Sequence, residues 1–109
     1  MSTTVTELTP SNFSENITTG TVLVDFWAPW CMPCLMQIPI LESVAKRIGD
    51  NAVVAKINVE DFPELAEPFA INGIPTLLLF KEGEIIERFS GVQTEDILVD
   101  TLLNTDSVK

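Results

Sequence analysis

The chain has 109 residues, of which 46% are hydrophobic and 20% charged, and its formal net charge is −10. A chain of this length buries roughly 65% of its unfolded surface, so we expect a single domain that spans residues 1–109. Its scattered basic residues disfavour nucleic-acid binding, and no apolar stretch reaches the roughly 18 residues that a membrane span requires. Because residues 1–7 carry neither a basic segment nor an apolar block, we expect no export signal, and the predicted location is cytoplasmic.

The first predicted elements are two strands with a short helix between them. Val5–Leu8 is a candidate short strand, and the helix-starting residues Thr9–Phe13 favour a helix that runs to about Ile17. Gly20 then marks the boundary between this helix and the next strand. The run Thr21–Trp27 is almost wholly apolar, which is typical of a buried strand.

The longest predicted element is a helix over Cys31–Ile48. Its apolar residues recur at intervals of three and four, at positions 34, 38, 41, 45 and 48, and therefore share one face. Gly49 is a typical helix-ending residue. Pro39 lies inside the predicted helix and is expected to kink it, because the proline ring clashes with the preceding turn.

The second half of the chain alternates between strands and helices. Ala52–Val59 is a second strongly apolar strand, and a short helix is predicted over Pro63–Phe69, since proline favours the first turn. Thr76–Phe80 and Ile85–Phe89 are predicted to be strands joined by a hairpin turn over Lys81–Glu84.

A final helix is predicted to begin at Thr94, and the residues after it, Asn104–Lys109, are expected to fray. The apolar stripe of this helix is predicted to contain Ile97, Leu98, Leu102 and Leu103. The order of elements predicts an open α/β sheet with parallel and antiparallel neighbours, covered by helices on both faces. In such sheets active sites lie beyond the carboxyl ends of parallel strands, and Cys31 follows the Thr21–Trp27 strand at such an end.

The two cysteines of the chain, Cys31 and Cys34, lie at the start of the long helix. Positions i and i+3 of a helix share a face about 5–6 Å apart, within the range that a disulfide spans. Unpartnered N–H groups and the helix dipole favour a thiolate at Cys31. This placement predicts thiol–disulfide exchange, in which Cys31 attacks a substrate disulfide and Cys34 resolves the mixed disulfide. Pro33 falls in the first turn, where its missing N–H is harmless.

Two other interpretations of the cysteine pair stay open at this point. A zinc or iron–sulfur site needs four ligands, and a chain with two cysteines and no histidine could supply them only by bridging a dimer. Alternatively, the pair consists of two buried core cysteines without a chemical role.

Two charged residues interrupt the apolar strands. Asp25 shares a strand face with Leu23 and Trp27, so we expect it to be buried, with a raised pKa that lets it exchange a proton with Cys34. Lys56 interrupts the neighbouring strand and is a candidate to tune the ionisation of Asp25 through its charge. The alternatives are an Asp25 that faces solvent and a Lys56 that extends its ammonium group to solvent.

Several segments resemble the thioredoxin family, and the likeness runs from about Val5 to Leu103. They are VDFWAPWC at 24–31, PC at 33–34, PIL at 39–41, AKINV at 55–59 and GIPTLLLF at 73–80. The cysteine pair alone is only moderately specific. Its combination with Asp25, Lys56 and an Ile-Pro-Thr sequence at these spacings makes the resemblance strong.

The resemblance implies a thioredoxin fold, a central five-stranded mixed sheet flanked by four helices. It implies that Cys31 is the nucleophile, that Cys34 is the resolving thiol and that Asp25 is a buried acid–base group beside Lys56. It makes Pro75 a cis residue that faces the cysteine pair. It also implies a docking surface for target proteins around the pair, made of Trp30, Val59, Ile74, Gly91 and Val92.

The implied activity is the reduction of disulfides in target proteins by an electron carrier that uses a reversible Cys31–Cys34 disulfide and no other cofactor. The implied partners are disulfide-containing targets and a reductase, in this family often a flavoprotein that uses NADPH. The chain has no visible nucleotide-binding motif, so its electrons must come from such a partner. We expect a monomer that binds neither nucleic acid nor membranes.

The chain departs from the family between the cysteines, where thioredoxins usually have Gly-Pro and this chain has Met32 and Pro33. The residues enclosed by the pair affect the relative stability of dithiol and disulfide. Met32, together with Leu35 at a position that often carries a charge in the family, enlarges the apolar rim. Two rival functions stay open: a thiol oxidant or disulfide isomerase, and a binding subunit that uses the fold without redox turnover.

Overall fold

The computed structural model describes residues 4–105, which form a five-stranded mixed sheet with helices on both faces. The elements, in chain order, are β1 (Thr6–Glu7), α1 (Phe13–Ile17), β2 (Thr21–Trp27), α2 (Met32–Ile48), β3 (Val53–Asn58), α3 (Pro63–Ala66), β4 (Thr76–Lys81), β5 (Glu84–Ser90) and α4 (Glu95–Leu103). Each predicted element is present, but β1 is shorter than expected and a 3-10 turn over Glu67–Phe69 completes the helix that starts at Pro63. The fraying predicted for the C-terminus falls mostly on residues 106–109, which lie outside the described residues.

The strand order in the sheet is β1-β3-β2-β4-β5. β1 and β2 both pair with β3 in parallel, whereas β2 with β4 and β4 with β5 are antiparallel. The turn between β4 and β5 consists of Glu82 and Gly83, whose φ angles of 51° and 85° are both positive. Turns of this kind match the twist of hairpin strands, which explains the glycine at this position. The predicted mixed α/β sheet is confirmed.

Alternate residues of the strands face two different helix layers. On one side of the sheet, Leu23 of β2 and Leu79 of β4 pack with buried residues of α2 and α4. On the other side, Val24 and Phe26 of β2 pack with residues of α1 and α3. Because neighbouring strand residues point to opposite faces, Asp25 lies on the α2 side, one pleat beyond Leu23.

Helix α2 buries two residues outside the predicted face, Gln37 and Val44. Near its N-terminus the fully buried side chains are Cys34 and Gln37, whereas Ile38 is only half-buried. Because Gln37 is polar, apolar periodicity did not indicate that its side chain is buried. The predicted end is confirmed, since Gly49 caps the helix with a positive φ of 58°, and Pro39 lies inside the helix as expected.

Helix α4 buries a different stripe from the one that the sequence predicts. Its buried residues are Leu98, Val99 and Leu102, while Ile97 and Leu103 are 48% and 59% exposed. The prediction was wrong for Ile97 and Leu103 because, at 3.6 residues per turn, both lie roughly 90° or more from the centre of the face that the three buried residues form. Apolar character alone does not show which side of a helix faces the sheet.

Candidate active site

Cys31 and Cys34 form a disulfide at the N-terminal end of α2, with their Cα atoms 5.2 Å apart. Cys31 is the N-cap residue: its backbone is extended, and its Sγ accepts a hydrogen bond of 3.2 Å from the backbone N–H of Cys34. This donor and the positive end of the helix dipole favour negative charge on the Cys31 sulfur once the disulfide is reduced. The predicted helix start and pairing distance are confirmed.

The two sulfurs differ in their access to solvent. Cys34 has no exposed surface, whereas Cys31 is 7% exposed. Both pack with Ala28 and with the half-buried side chains of Val59 and Ile74. A substrate disulfide that approaches from solvent can therefore reach Cys31 but not Cys34.

The loop before β4 faces the disulfide. The Ile74–Pro75 peptide bond is cis, as the family resemblance implied, and the carbonyl oxygen of Ile74 lies 3.8 Å from Cys31 Sγ. The backbone N–H of Gly91 donates a hydrogen bond of 2.9 Å to the carbonyl oxygen of Pro75. The loop that follows β5 is thus attached to the loop that faces the cysteines.

An apolar surface surrounds this disulfide. Trp30 and Met32, which flank Cys31 in sequence, are each 68% exposed, and Val92 is 39% exposed beside the exposed Gly91. We call this surface, together with the half-buried Val59 and Ile74, the docking surface. Its exposed apolar side chains can contact a partner protein.

Helix α2 extends the apolar rim away from the cysteine pair. Leu35 is 39% exposed and Met36, one turn after Met32, is 60% exposed. The enlargement of the rim by Met32 and Leu35 agrees with their exposure, and Met36 adds a contribution that sequence reasoning missed.

Asp25 is the buried acid of the site. It has no exposed surface, and neither carboxyl oxygen has a hydrogen-bond partner within residues 4–105. Burial raises the pKa of Asp25 to about 7, although the positive charge of Lys56 acts in the opposite direction. The alternative in which Asp25 faces solvent is therefore wrong.

Asp25 lies on the face of the sheet that α2 covers. Leu23, one pleat earlier on the same face, packs in the cluster that contains Leu41 and Ala45 of α2. Because α2 runs back along the sheet in the opposite direction to β2, a step of one pleat, about 7 Å, corresponds to roughly one helical turn towards the α2 N-terminus. This geometry places the Asp25 carboxyl roughly one turn before Leu41, towards the N-terminal part of α2.

Lys56 lies between two acidic residues in a row across the sheet. It is the cross-strand neighbour of Asp25 on β2 and of Glu7 on β1. Its Nζ lies 3.8 Å from Glu7 Oε2 and 4.9 Å from the centroid of the Trp27 ring. The side chain is 15% exposed, so Lys56 is neither fully buried nor freely solvated, and Glu7 is a charged neighbour that sequence reasoning missed.

Comparison with known proteins decides the family. A family model described as "Thioredoxin" matches residues 4–104. The chain belongs to the thioredoxin family. Thioredoxins of Staphylococcus haemolyticus and Bacillus subtilis are 42% identical over 98 residues (90% of this chain, 94% of the relative) and 39% identical over 94 residues (86% and 90%). The solved structure of a mutant thioredoxin from Halobacterium salinarum NRC-1 matches with a TM-score of 0.84 at 35% identity, covering 92% of this chain and 88% of that one.

Family membership and the Cys31–Cys34 disulfide make the chain a protein-disulfide reductase that works by dithiol–disulfide exchange. The predicted thioredoxin fold and function are confirmed. Thioredoxins use a redox-active cysteine pair and no cofactor, and their partners are a thioredoxin reductase and disulfide-containing targets.

Two further observations concern metal binding and membrane-spanning helices in the described part of the chain. Within residues 4–105 no group of three or more His, Cys, Asp or Glu side chains could hold a metal ion. No helix in the same range is long and apolar enough to cross a membrane.

Proposed function

We propose that the chain reduces target disulfides in two exchanges, with Cys31 as the nucleophile and Cys34 as the resolving thiol. In the first exchange, the Cys31 thiolate attacks one sulfur of the target disulfide, and the other target sulfur leaves as a thiolate. In the second, Cys34 loses its proton and attacks Cys31 Sγ, and the remaining target sulfur leaves. Two electrons have then passed to the target, and the Cys31–Cys34 disulfide has formed.

The difference in exposure between the two sulfurs carries this assignment. Cys31 lies at the solvent boundary, where the Cys34 N–H and the helix N-terminus favour its thiolate form. Cys34 is fully buried, so the sulfur within its reach is Cys31 Sγ, to which it is joined in the disulfide. Cys31 therefore attacks the target first, because it is accessible from solvent, and the buried Cys34 attacks second.

Asp25 is proposed as the acid–base group for Cys34. With a pKa of about 7, its carboxyl group is present in both protonation states at neutral pH. The ionised form can accept the Cys34 proton in the second exchange, and the protonated form can return it when the pair is reduced again. Lys56 supports this role, because its positive charge favours the ionised form.

Target proteins and the reductase are proposed to bind at the docking surface. Its exposed apolar side chains surround Cys31, and the net charge of −10 favours partners with basic residues at the edge of their contact. Substrate backbone is proposed to pair next to Pro75, at Ile74. The single domain over residues 1–109, the monomer and the cytoplasmic location stay predictions.

Trapping of the mixed disulfide tests the assignment of the cysteines. Reduced Cys34→Ser protein should accumulate a covalent adduct with insulin through Cys31, because the resolving thiol is missing. Cys31→Ser protein should form no adduct at neutral pH and should not reduce insulin. The two variants are matched controls, since each removes one sulfur atom. An adduct that forms through Cys34 in the Cys31→Ser protein, at the rate of the other variant, would reverse the assigned roles.

A further inference from the structure

Gln37 is a fully buried polar side chain in α2, one turn after Cys34. Its Oε1 accepts a hydrogen bond of 2.7 Å from the backbone N–H of Gln93, and its Nε2 donates one of 3.0 Å to the backbone carbonyl of the same residue. One side chain thus satisfies both backbone groups of a residue that is 56 positions away. A leucine or methionine could fill the same space but could make neither bond.

The residue held by Gln37 lies next to the docking surface. Gln93 follows Gly91 and Val92, and the N–H of Gly91 is bound to the carbonyl oxygen of Pro75. The three-residue loop is therefore fastened at one end to the segment that faces Cys31 and at the other end to α2. The side-chain Nε2 of Gln93 also lies within 3.2 Å of the Gly91 carbonyl oxygen, which closes the loop on itself.

We propose that Gln37 is a positioning residue that fixes the loop Gly91–Gln93 for the binding of target proteins. The inference rests on the proposed function in one respect, that Gly91 and Val92 contact the target. The side-chain hydrogen bonds of Gln37 go to the Gln93 backbone and not to the reacting sulfurs. It acts through the Gln93 backbone, because binding to a loop that is already ordered costs less conformational entropy.

This role predicts a particular kinetic signature. Loss of the Gln37 bonds should weaken binding of a protein target and leave the chemistry of the cysteine pair intact. A small disulfide such as DTNB makes few contacts with the docking surface, so its reaction with Cys31 should be insensitive to the loop. A side chain that supports only the stability of α2 would change the two reactions together or not at all.

The experiment compares wild-type protein with Gln37→Met, an unbranched apolar replacement of similar length, and Gln37→Leu as a second variant. Ile38→Leu is the matched control, because it changes the adjacent helix position and no hydrogen bond. KM and kcat for insulin, the DTNB reaction rate and the exchange rate of the Gln93 amide by NMR are measured for each. Melting temperatures show that each variant is folded.

We expect both Gln37 variants to raise KM for insulin about fivefold to tenfold, the equivalent of one or two lost hydrogen bonds, with kcat and the DTNB rate within about twofold of wild type. The Gln93 amide should exchange about tenfold faster in these variants, and Ile38→Leu should match wild type throughout. An unchanged KM in both variants, or an equal fall of the insulin and DTNB rates, would overturn the proposal. Fast exchange of the Gln93 amide in wild-type protein would also overturn the proposal. This measurement does not depend on whether the variants fold. Failure of wild-type protein to reduce insulin would instead refute the proposed function.

Discussion

Replacement of Asp25 by asparagine should stabilise the folded protein increasingly as the pH rises, because it removes a carboxylate that must lose its water on folding. The pKa of Asp25 rises from 3.8 to about 7 in the folded protein. At 1.36 kcal/mol per pH unit, this difference of about 3 pH units corresponds to about 4 kcal/mol. Asparagine has nearly the same shape and no charge to bury.

The sign follows from where the proton is bound. Between about pH 4 and pH 7 the folded protein keeps the Asp25 proton, whereas the unfolded chain has lost it. The free energy of unfolding therefore falls as the pH rises through this window, by about 4 kcal/mol in total, and Asp25 contributes no further change above it. The raised pKa stabilises the protein at low pH, and this stabilisation is lost on the way to neutral pH.

Urea unfolding of the oxidised proteins between pH 4 and pH 8 measures this effect. The free energy of unfolding of Asp25→Asn, minus that of wild type, should rise by about 4 kcal/mol across the range. The amide group buried without a partner costs about 1–3 kcal/mol, but this cost is the same at every pH. Asp50→Asn, which changes a carboxyl group near the surface, is the control and should show no such rise. A difference between Asp25→Asn and wild type that is constant with pH would refute the burial argument.

The same variant should be slower in catalysis, because Cys34 would lose the group that takes its proton. We expect insulin reduction at pH 7 to fall by about 100-fold, the lower end of the effect of general acid–base catalysis. The rate should become less dependent on pH near 7. A variant that is more stable and as active as wild type would show that Asp25 is not the base.

Three further predictions concern other positions. Glu82 has a left-handed backbone (φ 51°) that asparagine adopts more easily, so Glu82→Asn should raise the free energy of unfolding in urea by about 0.5–1 kcal/mol, and a loss of stability would contradict this. Met32→Gly should shift the reduction potential by tens of millivolts, at about 30 mV per 1.4 kcal/mol, and equal potentials of both proteins in glutathione equilibration would refute the idea. Glu7→Gln should lower the pKa of Asp25 in an NMR titration, because it removes a negative charge and frees Lys56 to act on Asp25 alone, and a rise in that pKa would exclude this coupling.

Sequence reasoning located β2, β3 and β4 because their apolar runs are long and clearly bounded. β2 has the predicted bounds Thr21–Trp27, and the two cysteines fall at the predicted helix start. Period-two alternation was also sufficient to place Asp25 on a buried face, since Leu23 shares that face and is apolar. These features depend on local pattern, which a single sequence carries.

The contacts that the sequence could not show are those between distant segments. At 3.6 residues per turn, position 37 lies nearer the centre of the buried α2 face than position 38, but a glutamine there is acceptable only because the Gln93 backbone meets it. The proximity of Glu7 to Lys56 likewise depends on the parallel register of β1 against β3. Neither pairing has a local signature in the residues involved.

The most direct test of the account is the alkylation of the reduced protein at pH 7 by iodoacetamide, with the modified cysteine identified by mass spectrometry. If the Cys31 sulfur is accessible and held as a thiolate by the helix N-terminus, it should react about tenfold faster than free cysteine, while Cys34 stays protected. Reaction of Cys31 no faster than free cysteine, or modification of Cys34 first, would contradict the proposed division of roles between the two sulfurs.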